Sequence, residues 1–346
     1  MKTFSFQCLG LVLCLVSTAA AQTPSESVFV LTPPIQSVNQ TDTYPSAFSP
    51  AASVLDVQEK EYGYSSLAPT HNSGGLYLSR IPDNQRTGMF QKANFNTLWI
   101  PANGGNNALG LTQLDISATF ALPMPKPDSP LVITPSFQTT FFDTKRAGGE
   151  TFYKTGVDFR WIRPVFPKKL TADIGVGIFY SGDLKATGSD AVQVPMHLAG
   201  IWNYNPRLKI IFGVVYLDRN DSYNWLPMAG LIWTPEENLS VELVFPKLRI
   251  AQRVNWFGTG GNPAKSDWFY GAFEFSGGSW GYEPVSGVNG TLEYRDMRLL
   301  VGVERKTSGG FNIGFETGYV FARKLEGFGG TYDAADSLFL RLRTSY

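Results

Sequence analysis

The sequence predicts an all-β protein: a closed antiparallel transmembrane β-barrel of about 14 strands, or about 12 as the alternative count, behind a mostly disordered N-terminal tail. Three observations carry this expectation. Apolar residues recur with a period of two from Arg86 to Tyr346. The breaks between these segments alternate between short turns bearing Pro or Gly and longer polar loops. The chain then ends on an aromatic, Tyr346, behind a leucine alternation.

Taken from the start, residues 1–21 read as a secretory signal peptide. Lys2 supplies the positive start, Leu9 to Val16 the short apolar run, and Ala19-Ala20-Ala21 the small-residue exit before Gln22. The run is too short to serve comfortably as a membrane-spanning helix. A lipoprotein would need Cys directly after the cleavage point, where Gln22 stands. Both cysteines, Cys8 and Cys14, fall inside the signal, so the exported chain is expected to hold no disulfide and no thiolate metal site.

Residues 22–85 are rich in Pro, Ser, Thr and Gln and lack sustained periodicity, apart from a weak helical hint at Ala51 to Glu61. They read as a largely unstructured periplasmic tail or linker, with a plug folded into the barrel as the functional alternative. Residues 86–346 form the barrel portion.

Leu114 to Leu122 shows the pattern that builds the wall: Leu114, Ile116, Ala118, Phe120 and Leu122 alternate with Asp115, Ser117, Thr119 and Ala121. Phe311 to Phe321 repeats it. Successive strand side chains point to opposite faces, so each segment has one apolar wall and one polar or small wall. In a membrane barrel the first meets lipid and the second lines the lumen.

Short connections are expected at Pro123 to Pro130, Pro164 to Lys168, Asn205-Pro206, Pro235 to Asn238, Gly277-Gly278 and Lys306 to Gly310. Longer loops are expected at Pro101 to Gly110, Asp143 to Thr151, Ser181 to Ser189, Asp218 to Tyr223, Val254 to Lys265, Ser286 to Gly290 and Arg323 to Ala335. In chain order the two kinds strictly alternate, as periplasmic turns and external loops do. The count depends on Gly277-Gly278: if Trp268 to Val285 is one bent strand, the total falls by one and the alternation breaks.

In the last strand Leu338, Leu340, Leu342 and Tyr346 share a face, the pattern of a C-terminal signal read by the barrel assembly machinery. Aromatics near segment ends, among them Trp99, Phe141-Phe142, Trp161, Tyr180, Trp202, Tyr204, Tyr216, Trp225 and Trp233, suit the girdles at a membrane boundary. A soluble periplasmic β-sandwich, with those rings in one core, is the architectural alternative.

The composition excludes other classes. With 43% hydrophobic residues and a mean hydropathy of -0.09, the chain is too polar for a helical membrane protein. At 17% charged it is too weakly charged for a disordered one. Lys+Arg and Asp+Glu each total 29, which leaves no basic surplus for nucleic acid.

The blocks Phe90-Gln91-Lys92, Leu98-Trp99-Ile100-Pro101, Leu131-Val132-Ile133-Thr134-Pro135 and Asp158-Phe159-Arg160-Trp161 occur in order. They are followed by Gly213 to Asp221, Leu231-Ile232-Trp233-Thr234-Pro235, Gly277-Gly278-Ser279-Trp280 and Gly318-Tyr319-Val320-Phe321. On these the barrel portion resembles a bacterial family of outer-membrane-type barrels described only as a domain of unknown function. The resemblance implies a membrane barrel and brings no substrate or catalytic residues.

The inward faces are expected to carry Asp115, Asp158, Arg160, Asp173, Glu242, Arg298, Glu304, Glu316, Arg341 and Arg343, since charge facing lipid is costly. Mixed signs there suit either a weakly selective pore or a lumen filled by ion pairs. Of the two histidines, His71 lies in the tail and His197 on a polar strand face. A barrel-borne hydrolase would pair His197 with a nearby serine such as Ser181 or Ser189; a structural role is the simpler reading. Gly258 to Ser266 lacks the Gly-Lys of a phosphate loop, and Leu217 to Asp221 reads as an acidic turn rather than a Ca²⁺ site.

The functional expectation is a passive or weakly selective outer-membrane channel for small solutes, with a closed structural barrel and a hydrolase as alternatives. It is expected to be no enzyme and to need no cofactor or metal. Its partners would be outer-membrane lipid and the assembly machinery; no motif names a solute.

Overall fold

The computed structural model describes residues 89–346 apart from 104, 127–128, 145–149, 187, 219–223, 257–265, 284–289, 308–309 and 328–329. The expected export signal at 1–21, the tail at 22–85 and His71 lie outside the described residues.

Period-two alternation becomes strand throughout. The wall begins with β1 (Phe90–Ile100), β2 (Leu109–Lys126), β3 (Ser129–Thr144), β4 (Glu150–Phe166) and β5 (Leu170–Gly182). After the short β6 (Val192–Gln193) come β7 (Met196–Asn205), β8 (Leu208–Tyr216), β9 (Trp225–Glu236), β10 (Leu239–Val244) and β11 (Lys247–Val254). The long β12 (Ser266–Tyr282), β13 (Gly290–Lys306) and β14 (Asn312–Gly327) follow, then β15 (Gly330–Ala334) and β16 (Ser337–Ser345).

Each wall strand is antiparallel to the next, and β16 returns to β1 from Asn94↔Ser345 to Trp99↔Leu340, which closes a 14-strand barrel. Strands β6 and β15 stand outside that count, as short partners of β5 and β14. Closure joins the first and last strands, so most ladder groups of the wall are satisfied within it. Tyr346 extends the seam: its N–H donates to Ala93 O and its carbonyl accepts from Ala93 N.

The two faces of the wall differ sharply. Outward rows expose Ile116, Phe137, Ile174, Phe212, Ile250 and Leu299, while inward rows bury Arg160, Asp173, Glu274, Arg298 and Glu316. This inverts a soluble protein, in which apolar side chains go inside and charges outside.

The expected strand count is met, but by two compensating differences. Trp268 to Tyr282 is part of one continuous strand, paired with β13 without interruption from Ser266↔Lys306 to Tyr282↔Gly290. Gly277 and Gly278 make no turn; they make room. A Cβ on Gly277 would lie 2.2 Å from Tyr294 O, and one on Gly278 would lie 2.5 Å from the Trp280 ring. Conversely, the segment expected as one strand between Asn238 and Val254 folds into two, β10 and β11. Val244 pairs with Lys247 across Phe245-Pro246. Proline has no N–H to give a ladder, so the strand ends there.

The strict alternation of long and short connections therefore fails at this place. A two-residue turn stands at the end away from the termini. The strand ends joined by the longer 255–265 connection, Val254 and Ser266, lie at the terminus end, not the external-loop end expected for it.

The short β10–β11 hairpin has a second consequence. Lys247, the first residue of β11, pairs with Glu274, so the far arm of β12 outruns its neighbour. That arm meets β5 instead, in a parallel pairing at Gly281↔Gly182. Ser181 Oγ and Gln193 Nε2 donate to Ser279 O at 2.6 Å and 2.8 Å, and Asp183 N donates to Gly281 O at 3.1 Å. At the loop end, β1–β5, β12–β14 and β16 thus close among themselves. Strands β7–β11 complete the ring only toward the other end.

Candidate functional site: the barrel interior

The interior divides into an apolar cluster at the loop end and charged networks nearer the middle and the terminus end. Phe142 and Phe152, near the adjoining ends of β3 and β4, meet Trp280 near the end of β12 with ring centroids 5.4 Å and 5.8 Å away. Tyr294 lies 5.7 Å from Phe142, and Leu98, Ile100 and Leu109 are buried in the same cluster. Phe142, expected in a boundary girdle, is thus an interior residue. Trp99, Trp202, Tyr204, Trp225 and Trp233 remain on the outside, exposed. A second apolar group, Ala199, Ile201, Ile211, Met228, Ile232 and Val244, covers the inner face of β7–β10.

The larger charged network centres on two carboxylates. Glu274 receives Lys247 Nζ at 2.7 Å and Arg341 Nη2 at 2.8 Å, with Arg298 Nη1 at 3.7 Å. Glu316 receives Arg341 Nε, Arg343 Nη1 at 3.0 Å and the Tyr270 hydroxyl at 2.6 Å. Arg298 also reaches Asp296 at 2.8 Å, and Arg249 reaches Glu304 at 3.0 Å. Strand parity explains the assembly. Glu274, Tyr270, Arg298, Glu316 and Arg341 all sit on inward rows, and adjacent strands bring them side by side through Glu274↔Arg298 and Glu316↔Arg341.

The smaller network spans β4, β5 and β7. Arg160 grips Asp173 through two nitrogens, with Nε at 2.6 Å from Oδ1, and neither side chain is exposed. His197 Nε2 lies 3.3 Å from the same Oδ1. The imidazole packs on Gly175, where a Cβ would sit 2.1 Å from the ring. Asp158 is half-buried beside this group and keeps Oδ2 without a protein partner. Buried charges persist only when paired in this way, since desolvation of each ion costs several kcal/mol.

All ten charged positions expected on inward faces are on inward rows. Seven of them join the two networks just described, and Asp158 lies beside the smaller one. Of the other two, Glu242 faces Arg249 across the β10–β11 ladder and accepts from Ser240 Oγ at 3.4 Å, and Asp115 accepts weakly from Gln113 Nε2 at 3.5 Å. Sequence reasoning missed Lys247, Arg249, Tyr270, Glu274 and Asp296. Lys247 was hidden beside the Phe245-Pro246 turn, and Glu274 beside a glycine pair taken for one. Parity with Tyr270 and Ala272 would have placed Glu274 inward.

Among the described residues, no serine hydroxyl bonds His197, whose ring lies on Asp173. Ser181 gives its hydroxyl to Ser279 O. It lies six residues along β5 from Gly175, roughly 20 Å at strand rise. Asp218 is committed too: its carboxylate accepts Val194 N–H and the Tyr216 hydroxyl and so clamps the β5–β7 connection. The rest of that acidic turn, 219–223, and most of the Gly258 to Ser266 loop lie outside the described residues. On the last strand Leu338 and Leu340 are exposed on the outer face, Leu342 is half-buried and the Tyr346 ring is exposed. Among the described residues, no three or more His, Cys, Asp or Glu are grouped to hold a metal, and no helix is long and apolar enough to cross a membrane.

Solved structures with some likeness to this chain include an outer membrane channel from Pseudomonas putida F1, at 10% identity and a TM-score of 0.37, over 77% of this chain and 98% of that one. A mutant of the Rh. blastica porin is 8% identical with a TM-score of 0.29, over 75% and 99% of the two chains. OprB of Pseudomonas putida is 12% identical with a TM-score of 0.30, over 75% and 93%. No protein-family model and no curated protein matches the chain.

Proposed function

We propose that this chain is an outer-membrane barrel acting as a narrow, weakly selective channel for small solutes. One observation carries the reading: a closed wall whose outward rows are apolar and whose inward rows hold the charges. An exterior of Ile116, Phe212, Ile250 and Leu299 suits hydrocarbon, and an interior of paired charges suits water and ions. Leu338, Leu340, Leu342 and Tyr346 would then serve as the outward-facing assembly signal, and residues 1–21 as the export signal. Membership of the outer-membrane-type family that the sequence resembles accords with the same architecture. The test is single-channel conductance in planar bilayers, after membrane fractionation and heat-modifiable gel mobility. Discrete steps support the channel.

A second reading, a sealed structural barrel, is favoured by the aromatic cluster of Phe142, Phe152, Trp280 and Tyr294 and by the close pairing around Glu274 and Glu316. A folded, membrane-inserted preparation that shows no steps selects it over the channel.

A further inference from the structure

At the loop end, where β1–β5, β12–β14 and β16 close among themselves, one apolar cluster fills the interior. It draws Leu98 from β1, Leu109 from β2, Phe142 from β3, Phe152 from β4, Trp280 from β12 and Tyr294 from β13. Trp280 belongs to the β12 arm that crosses to β5, and it meets Phe142 and Phe152 from the opposing strands. An apolar constriction of this kind shuts a channel by excluding water.

The arm that carries Trp280 is jointed. Irregularities stand at one level across three neighbouring strands. On β12, Gly277 takes a φ of +155°, which residues with side chains rarely adopt. Gly277 pairs with Arg295 of β13, and the β13–β14 ladder slips by one residue between Arg295↔Lys324 and Met297↔Phe321. The extra residue is on β14, where Ala322 has a φ of +51°. Bulges bend strands and interrupt the ladder locally, so β12, β13 and β14 share one line of bending. Beyond that line the arm leans on β5. Gly281 pairs with Gly182, Asp183 N donates to Gly281 O, and the side chains of Ser181 and Gln193 donate to Ser279 O. Glycine on both sides of the pairing leaves no side chains to interlock there. In this position Trp280 Nε1 and Ser279 Oγ are buried without a protein hydrogen-bond partner, a loss that exposure to water would restore.

We infer that the β12–β13 arm, residues 277–282 and 290–295, is a hinged gate, with Trp280 as its stopper and Ser181, Asp183 and Gln193 as its latch. It bends at the Gly277 line, releases β5 and draws Trp280 away from Phe142 and Phe152. The gate rests on the channel reading.

Two readouts test it, one of them independent of conduction. In the full chain carrying Cys8→Ser and Cys14→Ser, Ser279→Cys places a thiol on the arm. Its labelling by a charged methanethiosulfonate reports how often the arm leaves β5. Asp183→Ala, which removes the carboxylate joining residues 185–186 to Glu283, should speed that labelling about tenfold and lengthen open dwells in planar bilayers by a similar factor. Ser181→Ala, which removes one bond to Ser279 O, should act in the same direction and serves if Asp183→Ala does not refold. A thiol at Ser240→Cys, buried on β10, should label at an unchanged rate. Labelling and dwell times equal in the parent and both latch variants overturn the gate and leave the channel standing. A Ser240 thiol that quickens in step with the Ser279 thiol means general loosening and also overturns the gate. Faster labelling at Ser279 alone, with no conductance steps in any variant, keeps the hinged arm and overturns the channel reading beneath it.

Discussion

Arg160 on β4 and Asp173 on β5 form a two-pronged ion pair with no solvent exposure on either side chain, inside a barrel whose outer surface is apolar. The pair shows how the interior is stabilised. Each charge is tolerable because the other is present, so removing one is worse than removing both. Asp173→Asn or Arg160→Met should destabilise the barrel by about 3–5 kcal/mol, and the combined replacement by much less. Urea unfolding in lipid vesicles measures all three. Additive losses in the double variant would show that the two residues act independently.

The outer face makes the opposite demand. Leu299, midway along β13, is 59% exposed and Ile250 on β11 is 53% exposed. If hydrocarbon bathes them, Leu299→Arg and Ile250→Arg should each cost about 2–4 kcal/mol in vesicle refolding. On a water-facing surface the same changes would stay within about 0.5 kcal/mol. This comparison separates a membrane barrel from a soluble one.

Glu274 holds three cations from three strands: Lys247, Arg298 and Arg341. Glu274→Gln keeps the shape and removes the charge that balances them. It should destabilise by about 3–5 kcal/mol and, in a conducting barrel, shift the reversal potential in a salt gradient toward anions. Lys247→Met should shift it toward cations. Shifts of the same sign would separate selectivity from this belt.

The wall and its inward charges were legible because both depend on local parity: once Leu114 and Ile116 face out, Asp115 must face in. The turn positions were less so. Gly277-Gly278 carries a strong turn signal, yet the pair is used for close approach to Tyr294 and Trp280, a tertiary demand with no local trace. Phe245-Pro246 makes the real hairpin inside an apolar run, where a single proline was the only cue. The crossing of β12 to β5 was illegible for a related reason: it follows from the shortness of β10 and β11.

That crossing is also where the barrel should yield first. Asp183 fastens it: Oδ1 accepts the N–H groups of Lys185 and Ala186, both at 2.9 Å, and Oδ2 accepts Glu283 N–H at 3.2 Å. Asp183→Ala removes all three hydrogen bonds and leaves the β12–β5 backbone contact with the Ser181 and Gln193 bonds alone. At about 1 kcal/mol net for each bond, local opening should become easier by up to about 3 kcal/mol. Amide exchange at Lys185, Ala186 and Glu283 should then quicken at least tenfold. Exchange at Ile174, beside the Arg160–Asp173 pair, should stay unchanged. Asp183→Asn, which keeps one side-chain oxygen, should fall between the two. If Ile174 quickens in step with Glu283, the crossing is no separate unit and opens only when the whole barrel does.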